Sequence, residues 1–87
     1  MAEVVIYTTP FCPYCARAKK LLDGKGVQYE EIDVFSQPRR RDEMTQRAEG
    51  RTTVPQVFID GTPVGGSDDI HALDRAGKLD AMLGIAG

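Results

Sequence analysis

Val4-Val5-Ile6-Tyr7-Thr8-Thr9-Pro10-Phe11-Cys12-Pro13-Tyr14-Cys15 is the stretch that decides the fold. Val4 to Tyr7, β-branched and aromatic, read as a buried strand that Thr8-Thr9-Pro10 closes into a loop. From Pro13 onward Ala16, Ala18, Leu21 and Leu22 recur at helical spacing among Arg17, Lys19 and Lys20, and Gly24 and Gly26 supply stop signals. Val27 to Val34 is a second strand candidate, with Val27 and Tyr29 facing inward and Ile32 a further candidate. Strand, helix and strand in this order make a βαβ unit, whose strands run parallel.

The remainder extends the same pattern. Ser36-Gln37-Pro38 signals a helix start, and the polar run through Ala48 keeps Met44 and Ala48 on one face before Gly50 ends it. Asp60-Gly61, between Val57-Phe58-Ile59 and Thr62-Pro63-Val64, is a hairpin signal. Beyond Gly65-Gly66, Ser67-Asp68-Asp69 caps a helix carrying Ile70, Leu73 and Ala76; Leu79, Met82 and Leu83 suggest a last short helix, and Gly84 to Gly87 a frayed tail. The order predicts an α/β fold: a four-stranded mixed sheet flanked by helices on both faces. Tyr7, Phe35, Phe58 and Met44 are expected in the core, and His71 on the surface without a catalytic role.

Composition sets the limits. With 87 residues, 41% of them hydrophobic, residues 1–87 form a single domain. So small a core leaves no room for a large internal cavity, so a ligand is held partly on the surface. A net charge of −2 argues against nucleic-acid binding by wholesale phosphate neutralisation. The charge is nevertheless uneven: residues 13–26 carry a net +3 and residues 60–80 a net −3, so one side is suited to anions. The apolar runs fall far short of the roughly 18 residues of a membrane span. The N-terminal residues lack the basic start and apolar core of a signal peptide, and the expected location is cytoplasmic.

The two cysteines close too short a loop to staple the chain. Pro13 suits the first helical position, which makes Cys12 the N-cap. Its sulfur then faces the free N–H groups of Tyr14 and Cys15, and these donors, with the helix dipole, favour a thiolate over a thiol. Cys12 is thus the attacking sulfur and Cys15, one turn inside, the resolving one. Half of a zinc site has the same spacing, but four ligands are needed and His71 is the one further Cys or His. Dithiol redox chemistry is the favoured reading, an inert pair or metal half-site the alternative, and no metal is expected.

Thr8-Thr9-Pro10-Phe11-Cys12-Pro13-Tyr14-Cys15, Arg51-Thr52-Thr53-Val54-Pro55-Gln56-Val57-Phe58-Ile59 and Gly65-Gly66-Ser67-Asp68-Asp69 together resemble the signature stretches of the small bacterial dithiol glutaredoxins of the glutaredoxin 3 type. The resemblance runs nearly end to end. It implies a thioredoxin-like fold, a cis peptide between Val54 and Pro55, and glutathione as cosubstrate. Cys12 and Cys15 would be catalytic, and Tyr14, Thr53, Val54, Pro55, Gly66, Ser67, Asp68 and Arg41 would bind glutathione.

Glutathione has two carboxylates and an ammonium. The N–H groups opening the helix at Ser67 suit the γ-glutamyl carboxylate, and an Asp suits the ammonium. For the glycyl carboxylate the similar proteins commonly use a Lys where this chain has Thr9; Arg39, Arg40 or Arg41 offers compensation, Arg41 being the best match by spacing. Phe11 shields the approach or contacts protein substrates. The resemblance implies reduction of protein disulfides and of glutathionylated proteins; a monomer is the default expectation, and charge and apolar run length argue against nucleic-acid and membrane partners. Two further readings stay open: a glutathione-ligated iron–sulfur carrier, and an electron donor fed by thioredoxin reductase.

Overall fold

The computed structural model describes residues 2–85. Along the chain lie β1 (Val4–Thr8), α1 (Pro13–Gly24), β2 (Glu30–Asp33), α2 (Pro38–Arg47), β3 (Gln56–Ile59), β4 (Thr62–Gly65), α3 (Ser67–Arg75) and α4 (Leu79–Leu83). All five residues of β1 are buried, which suits its central place in the sheet order β2-β1-β3-β4. β1 pairs parallel with β2 and antiparallel with β3, and β3 with β4 closes the hairpin. Asp60 and Gly61 take φ of 52° and 79°, the pair of positive angles a two-residue primed turn requires.

Alternation along the strands divides the core in two. Val4, Ile6, Val57 and Ile59 face Ala18 and Leu22 of α1, Ile70 of α3, and Leu79 and Leu83 of α4. Val5, Tyr7, Ile32, Val34 and Phe58 face Met44 and Ala48 at α2. Helices thus cover both faces, as expected. Tyr7 is buried with its hydroxyl satisfied: it donates to Glu43 Oε2 at 2.6 Å and accepts from Arg47 Nη1 at 2.8 Å. At the far end of α1, Lys25 Nζ lies 2.6 Å from Asp74 and 2.7 Å from Asp80, joining α1 to α3 and α4.

Four expectations need correction. Phe35 is 74% exposed instead of buried, because β2 ends at Asp33, whose Oδ1 accepts the Phe35 N–H at 2.8 Å and turns the chain outward. β2 is also shorter than Val27–Val34, although Val27 and Val34 are buried beside it. The α3 cap is Gly66, one residue earlier than read, with Ser67 already helical. Finally, Gly84 does not begin a frayed tail. Its N–H and that of Ile85 donate to the carbonyls of Ala81 and Asp80, and Ile85 packs on the core. Ala86 and Gly87 lie outside the described residues. At the opposite terminus the Ala2 N–H donates to the Leu83 carbonyl at 3.1 Å. Among the described residues no helix is long and apolar enough to cross a membrane.

Candidate active site

The loop from β1 delivers Cys12 to the first position outside α1. Its backbone is extended (φ −103°, ψ 109°), its carbonyl accepts the Ala16 N–H at 3.0 Å, and Pro13 opens the helix. The Cys15 N–H donates to Cys12 Sγ at 3.2 Å, so the sulfur caps the helix as the sequence suggested. Cys12 is partly accessible, whereas Cys15 is 1% exposed; both are free thiols. Burial pushes the Cys15 thiol up to about 12, and a side-chain hydrogen bond shared with Cys12 acts in the same direction. One sulfur is presented for attack and the other is held protonated behind it.

That difference has a direct readout. In the folded, reduced protein at pH 8, iodoacetamide should add to Cys12 alone, and after unfolding to both sulfurs, as counted by mass spectrometry. The sign for stability follows: above the ordinary thiol range an unfolded chain releases the Cys15 proton while the native one keeps it, so stability falls as pH rises towards 12. Equal native labelling of the two sulfurs would contradict the assignment.

The Cys12-to-Cys15 turn contributes to the walls of two depressions, Cys12, Pro13 and Cys15 to one and Tyr14 to the other. On one side a cavity of about 450 Å³ is lined by Thr8 to Pro13, Cys15, Lys19, Glu31 and Asp33. There the Lys19 cation is occupied: its Nζ and Thr8 Oγ1 both donate to Glu31 Oε2, at 3.0 and 2.8 Å. Burial opposes ionisation of Glu31, but those two bonds and the Lys19 charge outweigh it and hold the carboxyl below its usual range.

On the other side a groove of about 260 Å³ is lined by Tyr14, Arg51, Thr53, Val54, Pro55, Gly66, Ser67, Asp68 and Asp69. The Val54–Pro55 peptide is cis, as the resemblance implied. The turn is braced from below by Gln56, buried, whose side-chain amide donates to Thr53 O and Oγ1 at 3.0 and 3.2 Å. At the far wall Asp69 Oδ2 accepts the Gly66 N–H at 2.8 Å, fixing the first turn of α3. A Cβ on Gly66 would come 3.2 Å from the Pro55 carbonyl oxygen, so the cis-proline turn and the α3 N-terminus meet at a position with no side chain.

Tyr14, Thr53, Val54, Pro55, Gly66, Ser67 and Asp68 therefore line one groove, while Cys12 and Cys15 line the first cavity. Arg41 is not among its walls; it lines a separate depression, where its Nη2 donates to the Thr52 carbonyl at 2.9 Å, one residue from the groove. Arg51, which the sequence offered only as part of a longer stretch, is in the groove. The signal for it was its place just before the Thr-Val-Pro turn. His71 is partly exposed, and its Nδ1 lies 2.7 Å from the Ser67 carbonyl, which braces the first turn of α3.

Comparison with known proteins agrees with this geometry. Residues 4–64 match the family model described as Glutaredoxin. The glutaredoxin of Pseudomonas aeruginosa is 59% identical over 83 residues, 95% of this chain and 98% of the relative. Glutaredoxin 3 of Escherichia coli strain K12 is 53% identical over 83 residues, 95% and 99% of the two chains. Among solved structures, the buckwheat glutaredoxin–glutathione complex superposes with a TM-score of 0.88 at 35% identity, over 98% of this chain and 83% of that one.

Proposed function

The chain belongs to the glutaredoxin family, and from that premise we propose that it is a glutathione-dependent thiol–disulfide oxidoreductase working through Cys12 and Cys15. The observation that carries the reading is the N-cap sulfur of Cys12, which lines one depression, two residues before Tyr14, which walls a second with Thr53 to Pro55 and Gly66 to Asp68. A relative of the same fold is described in complex with glutathione, which supports the same ligand here.

The Cys12 thiolate attacks the glutathione sulfur of a protein–glutathione disulfide; the protein thiolate leaves and takes a proton. A second glutathione thiolate then attacks the glutathione sulfur of the Cys12 mixed disulfide, releasing oxidised glutathione and the Cys12 thiolate. With a protein disulfide, Cys12 attacks one sulfur and the other leaves. Cys15 then gives up its proton and displaces the bound sulfur, leaving a Cys12–Cys15 disulfide for glutathione to reduce.

The Val54 backbone pairs with the cysteinyl residue of glutathione, Tyr14 flanks it, and the opening N–H groups of α3 receive the γ-glutamyl carboxylate while Asp68 takes the ammonium. Arg41, anchored on Thr52, offers the glycyl carboxylate a cation on the side where Thr9 offers none. The protein acts as a monomer in the reducing cytosol.

Reduction of a glutathionylated peptide should proceed with glutathione and glutathione reductase and fail with thioredoxin reductase alone. Turnover only with the second system would replace this reading by a thioredoxin-like one.

A further inference from the structure

We propose that Lys19, pinned by Glu31 in the cavity that Cys12 and Cys15 line, is the positioning residue for the second step of disulfide reduction, its charge drawing out the Cys15 thiolate. This rests on the reading of Cys12 as the attacking sulfur and Cys15 as the resolving one.

Lys19 stands four residues after Cys15 on α1, and residues so spaced share a helix face. Helical side chains lean towards the N-terminus, so the long Lys19 chain reaches back along the turn that carries Cys15. Contacts outside the helix hold it. Its Nζ donates to Glu31 Oε2 of β2 at 3.0 Å, and the same oxygen accepts from Thr8 Oγ1, at the end of β1, at 2.8 Å. The Lys19 side chain is 33% exposed, so solvent screens its charge only in part. The charged residues of this cavity are Lys19, Glu31 and Asp33, and Asp33 Oδ1 is taken by the Phe35 N–H. Among the described residues, Lys19 is therefore the one cation that lines it.

The second step needs such a charge. Cys15 is 1% exposed; burial, and then its hydrogen bond with Cys12, pushes its thiol up, while the Lys19 charge acts in the opposite direction. In the step, the Cys15 thiol gives its proton to water and its sulfur bonds to Cys12 Sγ. The bond from Cys12 to the substrate sulfur breaks, and the substrate thiolate leaves and takes up a proton. The two cysteines are oxidised to a disulfide and the substrate sulfur is reduced. Negative charge thus appears first on a sulfur that water cannot hydrate, and a cation held in place beforehand lowers the cost.

The neutral disulfide 2,2′-dithiodipyridine separates the two steps in one absorbance trace, because one thiopyridone leaves as Cys12 attacks and a second as Cys15 resolves. In Lys19→Met the second phase should slow about threefold relative to the first. Removing the charge lowers the thiolate fraction by up to about tenfold, but the less acidic sulfur is the better nucleophile, so about half of that change on a logarithmic scale reaches the rate. Lys19→Arg should recover most of the rate. Glu31→Gln breaks the same ion pair but leaves the cation, and should hold or raise the rate. In every form the second phase should climb as pH rises from about 7 to 9, because Cys15 reacts as its thiolate, and the gap between Lys19→Met and wild type should narrow in high salt.

Equal slowing in Lys19→Met and Glu31→Gln would make the ion pair a structural brace and overturn the proposal, as would an unslowed Lys19→Met or a second phase indifferent to pH; circular dichroism of the variants separates a folding defect from a lost charge. A wild type with two phases but no dependence on Lys19 defeats this inference alone. A wild type that releases only one thiopyridone defeats the two-sulfur reading with it.

Discussion

Cys12→Ser should abolish reduction of every disulfide substrate, by on the order of 10⁴-fold or more, because the hydroxyl at the α1 cap has neither the acidity nor the nucleophilicity of the sulfur it replaces. Cys15→Ser should behave differently. The glutathione route needs only one protein sulfur, so turnover of a glutathionylated peptide should stay within about threefold of wild type, while reduction of an intramolecular peptide disulfide stalls at the Cys12 mixed disulfide. The structure explains why the second change is tolerable. Cys15 is buried, and serine differs from it by one atom of similar size, so the fold can keep its packing. Parallel assays with the two substrates, together with mass spectrometry of the trapped mixed disulfide, decide the point. The reverse pattern, with Cys15→Ser dead and Cys12→Ser active on glutathionylated peptide, would exchange the two roles.

Gly65→Ala should be the most damaging single change outside the two sulfurs. Gly65 ends β4 with φ of 108°, which a side chain rarely adopts, and an added Cβ would stand 2.6 Å from Asp69 Cγ and 2.8 Å from Asp69 Cβ. The Asp69 side chain cannot swing clear, because its own first carbon is one of the clashing atoms. Relief therefore requires moving the backbone between β4 and α3. Strain and lost capping together cost about 2–4 kcal/mol, which for a domain of this size lowers Tm by roughly 10–25 °C. KM for glutathione mixed disulfides should rise at least about tenfold, because the same shift displaces the α3 N-terminus. A Tm within about 3 °C of wild type would show that the turn yields without cost.

Much of this architecture was legible in the chain because its signals are local. Pro13 after Cys12 marks the cap and Asp60-Gly61 marks the hairpin. The apolar residues of β1, β3 and α1 mark the core, and each is decided by near neighbours. The misreadings arose where a distant or competing contact prevails. Phe35 looks like a core aromatic until Asp33 captures its N–H and turns it out. The His71 contact was not legible, because its partner, the Ser67 carbonyl, is a backbone atom that no residue type reveals. Arg51 meets Asp69 across 18 residues, and no periodicity in the chain announces such a pair. For Arg41 the spacing suggested a cation for the glycyl carboxylate, and its bond to the Thr52 carbonyl, one residue from the groove, is a backbone contact that spacing does not reveal.

The bond from the Ala2 amide to the Leu83 carbonyl has a practical consequence for handling the molecule. It brings the two extremities of the described chain to one pole of the sheet, and β1 then runs away from that pole, a distance of roughly 15 Å, before the loop to Cys12 begins. A fluorescent protein or surface tether appended at either extremity would sit beside the other and behind the reactive sulfur, leaving the front of the molecule clear for use as a redox sensor.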